Sequence, residues 1–287
     1  MEIDLSGIGK SAPLPPYRAV LAVDMEKFSS SSARNQQLIG QKIPEVLEKA
    51  FTRADMLPVW KGARFPRHSG DGYVMGAEPE HLPYLISPLL EELQEVLEQV
   101  QPLLAMHDRN LRMRLRASID VGPLPDTGDG SGIDAMGEAM ISTHRLLDSE
   151  PVRAALRESD PDTTLLATII SRRVYEDVVL GGFAPVRASR WRPVHAAVPA
   201  KDFQAEGYLF VPTPSWAPGG HVSPGEAAAA ERGRPDEQAR PEKPVPAASG
   251  GSTPTTGNSV GHNDRGQVVQ AGTVNGGVSF GGGSDDS

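Results

Sequence analysis

Hydrophobic and polar positions recur in two periods along the chain, and the switches between them give an element order. Residues 19–23 form a short apolar run closed by Asp24, the pattern of a buried strand. The serines at 29–32 offer N-caps for a helix whose apolar positions are Leu38, Ile39, Ile43, Val46, Leu47 and Phe51, with Pro44 expected to kink or break it. Ser69-Gly70-Asp71-Gly72 lies between short β-prone segments and predicts a hairpin turn. A long helix follows, because Leu82, Leu85, Ile86, Leu89, Leu90, Leu93, Val96, Leu97, Val100 and Leu104 keep near-helical spacing. Met113, Leu115, Ala117, Ile119 and Val121 alternate with charged or polar residues, which predicts a half-buried strand. Residues 137–147 then predict a short helix, 165–170 a buried strand, 172–179 a helix, and 191–198 and 207–212 two late strands. The order β-α-β-β-α-β with additions defines an α+β class, a ferredoxin-like core with two helices on one face of a mainly antiparallel sheet. The central hairpin speaks against a doubly wound parallel sheet.

The pattern does not run the length of the chain. After Leu209 there is no Leu and after Ile170 no Ile, while the residues from Ser215 onward hold half of the 30 Gly. A stretch without large aliphatic side chains cannot bury enough apolar surface to offset its chain entropy. The expected organisation is a loose start over 1–16, a globular domain over 17–214, a disordered Pro/Gly-rich linker over 215–262 and a terminal segment over 263–287. Composition narrows function further. With no Cys among 287 residues, disulfide scaffolds, thiol nucleophiles and Cys-based metal sites are excluded. A net charge of −9 argues against a nucleic-acid binder, which needs surplus Lys and Arg to neutralise phosphates. The acidic start lacks an export signal, and no run approaches the roughly 20 apolar residues of a membrane span. A cytoplasmic protein without membrane partners is expected.

Two carboxylates stand out by position. Asp24 ends the first strand and Asp71 sits at the tip of the Gly-flanked hairpin, places that a β-α-β-β core brings together. Such a pair could hold Mg²⁺ or Mn²⁺, hard ions that take their remaining ligands from water and a triphosphate. The alternative is a turn Asp and a strand-end cap. The seven His show no metal-ligand spacing.

Residues 21–29, Leu-Ala-Val-Asp-Met-Glu-Lys-Phe-Ser, resemble the opening strand of class III nucleotidyl cyclases, and Ser69-Gly70-Asp71-Gly72-Tyr73 resembles that family's Gly-Asp hairpin. Arg116-Ala117-Ser118-Ile119-Asp120-Val121-Gly122-Pro123 is similar to its central strand, and Asp134-Ala135-Met136-Gly137 followed by Arg145-Leu146 to its interfacial helix. Ser171-Arg172-Arg173-Val174-Tyr175 and Lys201-Asp202-Phe203 fit its later segments, so the likeness spans residues 17–213. The resemblance implies a palm fold, a nucleoside triphosphate substrate and a homodimer whose site is shared between subunits. Asp24 and Asp71 would be the metal pair, Arg145 would stabilise charge on the transferring phosphoryl group, and Lys201 would contact the triphosphate. Asp134 and Arg67 would read the base. Two departures stand out: Ile141 occupies the place of the family's transition-state Asn, and Arg67 that of a base-reading Lys. Ile141 cannot donate a hydrogen bond, so Ser142 or Thr143 would have to substitute. An active cyclase and a degenerate cyclase-fold sensor or adaptor both remain open. A diguanylate cyclase is disfavoured, because no acidic residue follows the hairpin Asp-Gly.

Residues 267–280 carry no charge and no Pro but contain Val, Thr, Gln, Asn and Phe, so identical copies could stack in register. Val269-Gln270-Ala271-Gly272 resembles the core of RHIM-type amyloid signalling motifs. This implies self-assembly and an effector partner with a matching segment, as in bacterial immunity proteins.

Overall fold

The computed structural model describes residues 9, 11–128 and 134–216. The expectations for 217–287, including the assembly residues Val269, Gln270, Ala271 and Gly272, lie outside the described residues. Strands β1 (Tyr17–Met25), β2 (Arg64–His68), β3 (Gly72–Ala77), β4 (Leu115–Pro123), β5 (Leu166–Ser171), β6 (Arg192–Val198) and β7 (Phe203–Phe210) form one sheet in the order β2-β3-β1-β4-β5-β7-β6. Every neighbouring pair is antiparallel except β4 and β5. The helices are α1 (Ala33–Arg53), α2 (Leu57–Lys61), α3 (Leu82–Ile86), α4 (Leu89–His107), α5 (Glu138–Asp148), α6 (Glu150–Arg157) and α7 (Arg172–Val174). The segment β1-α1-β2-β3-α4-β4, with β1 between β3 and β4, is the ferredoxin-like palm core, so the fold is α+β.

The main core lies between the sheet and the face formed by α1 and α4. Leu21, Val23 and Met25 of β1 meet Ile39, Ile43, Leu47 and Phe51 of α1 and Leu90, Leu93 and Leu97 of α4 there, all buried. Each such side chain stabilises the fold by about 1.5–3 kcal/mol relative to exposure. Ser32 caps α1, its Oγ accepting the Asn35 amide at 3.3 Å. Pro44 does not break this helix into two elements, and buried side chains on both sides of it belong to one continuous helix.

Four expectations need correction. The long helix from Leu82 is two helices, separated at Ser87, whose extended backbone is what the following Pro88 imposes. The helix starting at Arg172 continues past Val174 as π-helical turns, Tyr175–Leu180. The strand β4 is buried on both faces rather than one, and the helices are not confined to one side. Helices α5 and α6 cover the opposite face, where Leu146, Val152 and Leu156 pack on Ala167, Ile169, Ala196 and Leu209. Beneath α5, Ser118 Oγ donates to the Thr143 carbonyl at 2.8 Å, which lets a polar strand position lie fully buried.

Ser215 Oγ lies 2.8 Å from Thr164 Oγ1 and accepts the Asp160 amide at 3.0 Å. Among the described residues no helix is long and apolar enough to cross a membrane.

Candidate functional site

The chain end of β1 and the β2–β3 hairpin are joined by backbone. Asp24 stands opposite Gly72 in the β1–β3 ladder, and the Met25 amide donates to the Asp71 carbonyl at 2.9 Å. The tip depends on Gly70, whose φ of 97° lies in the left-handed region that favours glycine. These contacts place Asp24 and Asp71 on one cleft of about 640 Å³, with Arg67, Arg116, His144 and Asp148 also on its walls.

Electrostatics distinguish the two carboxylates. Burial pushes the Asp24 carboxyl above the ordinary carboxylate range; Arg116 opposes this, while the charges of Asp71 and Asp148 add to it. Arg116 stands directly across the β1–β4 ladder from Asp24, and its Nη2 donates to Asp24 Oδ2. The Arg116 Nε is buried and finds no partner among the described residues. Among the described residues the Asp71 carboxylate has one partner, Ser69 Oγ, which donates to its Oδ1 at 3.3 Å. Both carboxylates present hard oxygen donors on one cleft and are close enough for their charges to interact, which fits a divalent cation completed by water or phosphate. No cluster of three or more potential metal-binding side chains occurs among the described residues.

The remaining candidates separate. Arg67 lines both this cleft and a smaller pocket of about 400 Å³ that holds Asp134. Asp134 is buried there, its Oδ1 accepting Thr127 N at 2.9 Å and Thr127 Oγ1 at 2.8 Å. Arg145, on α5, is absent from both cavity walls, and its buried Nη1 has no partner among the described residues. Lys201 is tied to the end of α5, its Nζ donating to Asp148 Oδ2 at 2.5 Å. Ile141 is about half exposed on α5, one turn before Arg145. Thr143 is excluded as its substitute, being fully buried with its hydroxyl donating to the Ala139 carbonyl at 2.7 Å. Ser142 lines a different groove.

Sequence reading gave no role to Arg116, His144, Asp148 or Arg153, all of which line the cleft. Arg116 falls on the polar side of an alternating strand, which in sequence reads as a solvent face. Nothing local marked the other three, which α5 and the start of α6 carry across the sheet.

No family model matches the sequence, and no curated protein does. Solved structures with a similar course include the catalytic core of a rhodopsin-guanylyl cyclase with converted specificity, in complex with ATPalphaS. It is 12% identical, with a TM-score of 0.44, covering 71% of this chain and 99% of that one. The guanylate cyclase domain of RhGC from Catenaria anguillulae, in complex with GTP, is 13% identical with a TM-score of 0.41, over 71% of this chain and 100% of that one. The adenylyl cyclase CyaB from P. aeruginosa is 13% identical with a TM-score of 0.43, over 68% and 93%. Likenesses of this size say nothing of activity.

Proposed function

We propose that the domain is a class III nucleotidyl cyclase-like unit that binds a nucleoside triphosphate with Mg²⁺ or Mn²⁺ and forms a 3′,5′-cyclic nucleotide and pyrophosphate. The observation that carries this reading is the convergence of Asp24 and Asp71 on one cation-walled cleft at the end of the central strand β1 of a palm-type sheet. Asp24 and Asp71 would hold the metal, which when bound supplies charge neutralisation at the phosphates and a lowered pKa at the ribose hydroxyl. In the reaction the ribose 3′-oxygen bonds to the α-phosphorus as the bond to the bridging β-phosphate oxygen breaks, pyrophosphate leaves, and the hydroxyl proton passes to water. Arg116 would bind and orient the anionic substrate from the cleft wall, and Arg67 would read the base. Asp134 and Arg145 would act from the second subunit of a homodimer, Arg145 at the transferring phosphoryl group and Asp134 at the base, and Lys201 would contact the triphosphate.

A second reading, a cyclase fold that binds nucleotide without turnover, is favoured by one observation: Ile141 offers no hydrogen bond where the family's Asn would. In either case the terminal segment around Val269-Gln270-Ala271-Gly272 would convert the domain's state into assembly with an effector that carries a matching segment, in a cytoplasmic signalling role such as immunity.

The test uses the full chain, Mn²⁺ and each of the four ribonucleoside triphosphates, reading both binding and pyrophosphate release. At least one nucleotide is expected to bind only with metal and to turn over. Asp71→Asn is the cleaner variant, since Asp24→Asn also strips Arg116 of its carboxylate, and it should abolish metal-dependent binding. Binding without release selects the second reading, and absence of metal-dependent binding to all four sinks both.

A further inference from the structure

Asp148 is the third carboxylate on the cleft and its surroundings differ from those of the other two. It is the last residue of α5, where the helix dipole disfavours an anion and prefers a cation. Two cations from other elements answer it. Lys201 Nζ, on the turn between β6 and β7, reaches Asp148 Oδ2 at 2.5 Å, and Arg153 Nη2 of α6 stands 3.6 Å from Asp148 Oδ1. All three side chains are between a third and a half exposed, so the pairs are solvent-accessible and can exchange partners. Asp148 and Arg153 both face the cleft, and the Asp148 charge is felt at Asp24. Arg153 lines the cleft beside Asp148, and Lys201, which does not line it, reaches the same carboxylate from the β6–β7 turn; a phosphate oxygen would pair with these cations as Asp148 does.

We propose that Asp148 is a counter-ion gate: in the free chain it occupies Lys201 and Arg153, and an entering polyphosphate displaces it and takes over both cations. This rests on the reading of the cleft as a polyphosphate site. Asp148 is thus a specificity-determining residue that lowers affinity for polyphosphate and reserves the cleft for ligands carrying enough charge to break its ion pairs.

The test measures binding of inorganic tripolyphosphate, with Mn²⁺, to the full chain by calorimetry. Asp148→Asn is expected to tighten binding by about three- to tenfold, since one opposing charge is gone and no exposed ion pair has to be broken. With Lys201→Gln and Arg153→Gln already in place the same substitution should change affinity about twofold or less, and Asp148→Glu should bind like the unsubstituted chain. Lys201→Gln alone should weaken binding. An Asp148→Asn protein that binds no more tightly than the parent overturns the gate alone, as does an equal gain in both backgrounds, which marks a plain long-range charge effect. Absence of binding in the parent and in every variant overturns the cleft reading beneath it as well.

Discussion

At the scale of single residues, charges buried at a distance from the cleft hold its carriers in place. Asp126, almost wholly buried, accepts Arg18 Nε at 2.6 Å and both Arg64 Nε and Nη2 at 2.7 Å. It thereby ties the starts of β1 and β2 to the loop that leads toward Asp134. Nothing in the local sequence announced this, since the partners lie 108 and 62 residues away. Asp24 and Asp71 were legible because a strand end and a hairpin tip are marked locally by their apolar and glycine neighbours. The Arg64 guanidinium, then desolvation in the opposite sense, then Arg18 set the Asp126 carboxyl, with a net shift below the ordinary value of 3.8. A depressed folded-state pKa means that the stabilisation is complete above about the ordinary value and is lost as pH falls through the folded one. Asp126→Asn should therefore cost about 2 kcal/mol at pH near 7, where the charged bonds are lost. Urea unfolding at neutral pH and near pH 3 checks this: the gap between the two proteins should shrink in acid, and a pH-independent gap would show that packing rather than charge is responsible.

At the scale of elements, the site depends on how closely α1 approaches the β2–β3 hairpin. A side-chain carbon at Gly40, in the middle of α1, would stand 2.8 Å from the Gly70 carbonyl oxygen, next to Asp71. Helix preference alone favours Ala there by about 1 kcal/mol, so packing overrides propensity at this position. Gly40→Ala should push the hairpin tip outward, weakening metal-dependent nucleotide binding by about tenfold or more while shifting Tm by only a few degrees. Unchanged binding in the variant would mean that the tip's position is not what the cleft requires. The hairpin and the order of strands were readable because their periods and turn residues are local. The second helical layer was not: Arg114, Arg116, Ser118 and Asp120 look like a solvent face in sequence, yet all are buried. Their burial follows from partners elsewhere, as when Arg114 donates to Glu26, to the Thr164 and Leu156 carbonyls and to Ser159 Oγ. An alternating pattern reports polarity, and polarity equals exposure only where no other element supplies the hydrogen bonds.

At the scale of the whole molecule, one chain presents a cleft with carboxylates and cations but leaves Arg145 outside it, with a buried guanidinium nitrogen unpartnered among the described residues. The proposed chemistry needs Arg145 at the phosphoryl group held by Asp24 and Asp71, so a second copy has to supply it. In a two-fold dimer each of two equivalent sites would then draw its metal pair from one subunit and its Arg from the other. Asp71→Asn and Arg145→Ala, each alone, are expected to reduce pyrophosphate release to background, because both sites of each homodimer carry the defect. In a mixed dimer both substitutions fall in the same site and the other site is intact. Random exchange makes about half the dimers mixed, each with one working site, so the mixture should recover about a quarter of the parent activity. Differently tagged chains report the exchange. Mixed dimers that form in the expected proportion and stay at background would place the whole site on one chain, and Arg145 would then have to reach the cleft through a rearrangement of α5.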